Sequence, residues 1–224
     1  MQQVLGAIGQ SLPVAVGLLL AAAPMVVLVV VLVTKRPLSL SYAFLGGWVL
    51  GLIVVGCIVL AAADVITLSD EPAWWASSLK FVLGIVLVFM AVRKWSGRPR
   101  AGDEPKVPKW MAAADTITPG KAFGLGFLLA ATNPKNLVLV VAGAVVIADA
   151  TPRVHEQFAA LIVFVVVASL GVAAPVIIRG VLGARSDRLL AVADEWMTRY
   201  NAVIMSAVLL ILGVVLIING MAGL

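Results

Sequence analysis

Asn133, Pro134, Lys135 and Asn136 run consecutively through a long apolar segment from Phe123 to Ile147. Proline removes a backbone donor and leaves a carbonyl without its helical partner, so a helix through this segment should break or kink there. A lysine at bilayer depth costs at least about 2.5 kcal/mol on insertion scales, and persists where it faces a cavity or a partner. Its ammonium gives three donors and a positive charge, and the two amides give donors and acceptors. The helix end before Pro134 offers freed carbonyls, and the half-helix beginning near Asn136 offers backbone donors. This set suits an anionic or polyhydroxylated head group better than a bare metal cation. Two readings stay open: a substrate site at a broken helix, as in many secondary transporters, or a kinked structural helix whose lysine is satisfied inside the bundle.

Other chemistry is missing. Asp64, Asp115, Asp149, Glu156 and Asp194 all fall at or beyond the ends of the apolar runs. Divalent-cation carriers need hard oxygen ligands, usually carboxylates, and membrane proton relays tend to use Asp, Glu or His. Cys57 is the single cysteine and His155 the single histidine, which excludes an internal disulfide and a His/Cys metal cluster. Cys57 is expected as a small buried apolar residue. No nucleophile–base pair, phosphate-binding glycine loop or metal motif is present. No enzyme activity, cofactor or metal is expected.

The elements that must position Lys135 follow from composition. The chain is 62% hydrophobic and 12% charged, against roughly 25% charged for a soluble domain, and its mean hydropathy is +1.13. Six apolar runs cover roughly 11–34, 40–63, 74–93, 121–148, 157–178 and 200–222, each about the length of a membrane-spanning helix. A lone strand cannot satisfy its backbone in lipid, and the runs lack the alternation of barrel strands. The expected fold is therefore all-α and integral to the membrane, with six transmembrane helices. Met1-Gln2-Gln3 lacks the positive region of a secretory signal, so the first run should be retained.

Between the runs, Ser186 to Thr198 reads as an interfacial amphipathic helix, with Leu189, Leu190, Ala193, Trp196 and Met197 on one face. Pro99, Pro105, Pro108 and Pro119 mark a loop. Trp74, Trp75, Trp95, Trp110 and Trp196 are expected as interfacial anchors, and Lys80 is expected to snorkel to the interface. The net charge of +5 sits between apolar spans, where topology explains it, so no nucleic-acid partner is implied.

Lys and Arg set the orientation. Lys35 and Arg36 lie in the first connection, Arg93 to Lys121 in the third, and Arg179, Arg185, Arg188 and Arg199 in the fifth. The second carries Asp64, Asp70 and Glu71, and the fourth has only Arg153. Connections one, three and five should be cytoplasmic and both termini extracytoplasmic.

The halves also resemble each other. The stretch from Gly17 to Pro24 parallels Phe127 to Pro134, and Leu83 to Leu87 parallels Leu212 to Leu216. Three spans per half is odd, so the halves would form an inverted-topology repeat with a site at their interface. The expected units are a first three-helix repeat at 1–97, a cytoplasmic linker at 98–119 and a second repeat at 120–224, within one membrane domain. Pro24 and Pro134 become partner breaks in helices 1 and 4, and Pro24 joins the expected substrate site. The first half has Ala23-Pro24-Met25-Val26 there, without the polar groups. Gly46, Gly47, Gly51 and Gly171 read as small residues for close helix packing.

Asn133-Pro134-Lys135-Asn136 after Gly124 and Gly126, the upstream Trp110, Asp115 and Pro119, and Phe44-Leu45-Gly46-Gly47-Trp48 together carry a resemblance. Over nearly its whole length the chain resembles the Gap/Sap-like family, the peptidoglycolipid and sulfolipid-1 addressing proteins of actinobacteria, in the lysine-exporter (LysE) superfamily. The resemblance implies a multi-pass protein of the bacterial plasma membrane that exports or translocates an amphipathic envelope glycolipid or peptidoglycolipid without ATP. It implies membrane lipids and an anionic or glycosylated lipid substrate as partners, alongside a second copy of the chain or lipid-synthesis and export machinery. Thiol carriers of that superfamily use a cysteine pair, which Cys57 cannot form. The rival expectations are an exporter of amino acids or other small solutes, and a non-transporting adaptor for lipid-export machinery.

Overall fold

A computed structural model describes residues 2–20, 38–67, 74–97 and 118–222. The elements are α1 (Gln2–Leu19), α2 (Leu38–Thr67), α3 (Trp74–Ser96), α4 (Pro119–Ala131), α5 (Pro134–Ala150) and α6 (Val154–Leu182), then a 3₁₀ turn (Gly183–Ser186) and α7 (Asp187–Ala222). Among the described residues there is no strand. α1, α2, α6 and the Ala202–Ala222 part of α7 are each long and apolar enough to cross a membrane. α4 and α5 are long and apolar enough only when taken together, and they bend by 63° at their break, as a broken span or a re-entrant loop does.

The helices depart from the expected runs in three places. α3 follows the third run but is not in that group of spans, and carries Lys80, Arg93 and Lys94. The first helix begins at Gln2, well before residue 11, because its glutamines are neutral and Val4 to Ile8 are apolar. Residues 21–37, with Pro24, and most of the linker, with Trp110 and Asp115, lie outside the described residues. The expected amphipathic helix is instead the start of α7, which runs unbroken to Ala222. No proline or glycine interrupts it before Gly213, so nothing ends the helix at Thr198. Leu190 is buried there while Leu189 is exposed, so the segment does not present one uniform apolar face.

α5 forms the centre of the molecule. From Leu139 to Ile147 every residue except Val141 is buried, and the helix touches α1, α2, α3, α4 and α6. A helix apolar all round belongs in such a position. The outer helices turn Ile58, Phe89, Ile162 and Ile211 outward, each about 62% exposed, as a lipid-facing surface requires.

Backbones approach closely where glycine allows it. A Cβ on Gly47 would sit 1.9 Å from the Phe123 carbonyl oxygen, and one on Gly126 2.1 Å from that of Phe44, so α2 and α4 touch main chain to main chain. In the same way Gly84 of α3 faces Gly213 of α7, and Gly171 of α6 faces Leu19 of α1. α6 ends at Gly183, whose φ of +56° is the one positive value among the described glycines.

Candidate functional site

The 63° bend has a local cause. Asn133 precedes proline and is pushed out of the helical region, to φ −66° and ψ 118°. Pro134 then supplies no N–H to the preceding turn and instead opens α5 at its first position. Thr132 closes α4, its N–H and hydroxyl both donating to the Leu128 carbonyl at 2.8 and 2.7 Å. Asn133 caps α5 by accepting the Lys135 N–H at 3.2 Å. Asn136 reaches back across the break, its Nδ2 donating to the Leu129 carbonyl at 2.9 Å. The freed end of α4 is thus served by Asn136, not by Lys135.

That bond fixes the amide orientation, since a carbonyl can only accept. Asn136 Oδ1 is left buried and without a hydrogen bond among the described residues. Trp48, fully buried on α2, leaves its indole N–H likewise unpaired. Buried polar atoms of this kind normally find a partner. Lys135 is half-buried and its ammonium makes no hydrogen bond or ion pair among the described residues. The other charge acting on it is Lys94 near the end of α3, of like sign.

The opposite end of the same helix pair is different. Lys80 of α3 is buried and forms an ion pair with Asp149 of α5. Lys80 and Lys94 are fourteen residues apart, as are Lys135 and Asp149, so each helix rises about 21 Å between its two charged residues at 1.5 Å per residue. One end of the α3–α5 pair joins opposite charges, and toward the other end each helix carries a lysine. The expectation that Lys80 snorkels is corrected: Asp149 offers it a partner inside the bundle. Spacing along the chain could not reveal a pair 69 positions apart.

A second polar cluster escaped the sequence reading. Thr151, Glu156 and Gln157 are buried, although Glu156 sits at the edge of an apolar run. Thr151 donates its hydroxyl to Glu156 at 2.7 Å, Arg153 donates to the same carboxylate at 3.1 Å, and Gln157 donates to the Thr151 carbonyl at 3.0 Å. These bonds lock the turn between α5 and α6. Among the described residues no group of His, Cys, Asp and Glu could hold a metal ion. Cys57 is half-buried and free.

Residues 12–222 match the family model described as Sap, sulfolipid-1-addressing protein. The chain belongs to that family. No curated protein and no solved structure matches it.

Proposed function

From membership in the sulfolipid-1-addressing family and the unpaired cation at the helix break, we propose that this protein exports an anionic, glycosylated envelope lipid from the plasma membrane. Lys135 binds the anionic group of the lipid, and the charge of Lys94 adds to the attraction. Asn136 Oδ1 is closed off in this conformation; if the break opens, a sugar hydroxyl can donate to it, which an anion cannot. A sulfated or otherwise acidic glycolipid offers both. The single observation carrying this reading is the half-buried Lys135, which binds no carboxylate among the described residues and feels the like charge of Lys94.

In this proposal the protein is a carrier and not an enzyme, and works without ATP by alternating access or along a groove. Six spans form two inverted three-helix repeats with both termini extracytoplasmic. The meeting of Gly84 with Gly213 supports this, because the two lie in the segments that match between the halves. So does the pairing of α2 with α4 and of α1 with α6, which exchange when the halves are swapped. Membership of the lysine-exporter superfamily belongs to the same reading.

The test compares surface-extractable with total lipid in a deletion strain carrying variants. Lys135→Ala should abolish surface delivery while the protein stays folded in the membrane, since its ammonium holds no other described residue. Lys135→Arg should rescue in part, because guanidinium donates in a different geometry. Normal delivery by Lys135→Ala would refute the site. Internal retention of amino acids, with lipid delivery intact, would favour a small-solute exporter.

A further inference from the structure

We propose that the groove between α1 and α7 holds one alkyl chain of the exported lipid, an inference that rests on the head-group site proposed above. The groove has a volume of about 430 Å³ and is lined by Gly9, Leu12, Pro13 and Val16 of α1 and by Val208 and Ile211 of α7. That volume falls in the roughly 300–1,000 Å³ range of ligand clefts. The groove is open at Gly9, where an added Cβ would meet nothing within 4 Å. It closes at Gly17, where a Cβ would lie 2.6 Å from Leu212 Cδ1.

The closed end adjoins the helix break. The same Gly17 position is 3.9 Å from Leu139 Cδ2, and Leu139 lies four residues beyond Lys135, about 6 Å along α5. The closed end of the groove therefore packs against the central helix about one turn beyond Lys135.

The chemistry of the lining selects the occupant. A polar solute finds no partner there, and a peptide would leave its backbone unsatisfied. An alkyl chain needs no partner. Within a bilayer it gains little over surrounding lipid, so occupancy comes from the tether. A head group held at Lys135 raises the effective concentration of its own chain at the groove.

Purified protein in phosphatidylcholine vesicles would be photolabelled with a synthetic sulfated glycolipid carrying a diazirine in one alkyl chain. Phosphatidylcholine with the same chain is the control probe. The sulfated probe should label α1 and α7 peptides at least fivefold above the control, and Gly9→Phe, which fills open space, should remove most of the excess. Equal labelling by both probes, or an excess untouched by Gly9→Phe, would overturn the chain site. If Lys135→Ala abolishes the excess and Gly9→Phe does not, the head-group reading stands and the groove falls. If Gly9→Phe abolishes it and Lys135→Ala does not, the tether to Lys135 falls.

Discussion

Gly124 and Gly126 lie two residues apart on α4, and replacing each with alanine should have opposite effects. An alanine Cβ at position 124 meets nothing within 4 Å, so Gly124→Ala should gain the helix propensity difference, about 0.5–1 kcal/mol. At position 126 the Cβ would fall 2.1 Å from the Phe44 carbonyl oxygen and 3.0 Å from the Trp48 nitrogen. Close carbon–oxygen contacts between helices sit at about 3.3 Å or more, so α2 and α4 would have to part by roughly 1 Å. A gap of that size forfeits up to half of each dispersion contact along the interface. Both obstructing atoms are main chain, so no side chain can swing aside. Overpacking of this kind costs about 1–3 kcal/mol. The propensity gain is common to both variants, so their difference isolates the packing cost.

Unfolding in mild detergent, by heat or by a denaturing detergent titration, would measure that difference. Because α4 carries the break at its end, Gly126→Ala should also lower surface lipid delivery while Gly124→Ala leaves it unchanged. Equal stability of the two variants, within about 0.5 kcal/mol, would refute the close contact of α2 with α4.

The Lys80–Asp149 pair should respond asymmetrically, because the Lys80 side chain is 10% exposed and that of Asp149 32%. Asp149→Asn strands a buried ammonium and should cost about 3 kcal/mol or more; Lys80→Met leaves a carboxylate that water reaches and should cost less, and the reverse order in detergent melts would contradict the pairing. Gly183→Ala meets no neighbour but must adopt φ +56° with ψ −134°, a conformation nearly confined to glycine, so it should lose about 1–3 kcal/mol by thermal unfolding, and no loss would mean the turn after α6 relaxes freely. Orientation can be read from single cysteines at Gly102 and at His155, which is exposed, in a Cys57→Ala background. Impermeant reagent added outside whole cells should label position 155 and spare 102, and the opposite pattern would reverse the proposed topology.

Much of the helical architecture was legible along the chain, because its cause is local. Runs of apolar residues longer than about 18 have few alternatives to a spanning helix, and α2 and α6 follow them. The break at Pro134 was legible for the same reason. A proline removes its own N–H and displaces Asn133 from the helical region, whatever surrounds them. The small-residue role of Gly47, Gly51 and Gly171 could also be read from type alone.

What only the tertiary structure decided is which group answers which. Sequence leaves the carbonyls freed before Pro134 open to Lys135 or to either asparagine. The bend brings Asn136 to Leu129 and leaves Lys135 without a partner among the described residues. Lys80 was one more snorkelling lysine until the packing of α3 on α5 set Asp149 beside it. Gly124 and Gly126 look equivalent as letters, yet only Gly126 lies where α2 crosses. Charge pairing and close backbone contact depend on distances between residues far apart in the chain, and those distances exist only once the helices have packed.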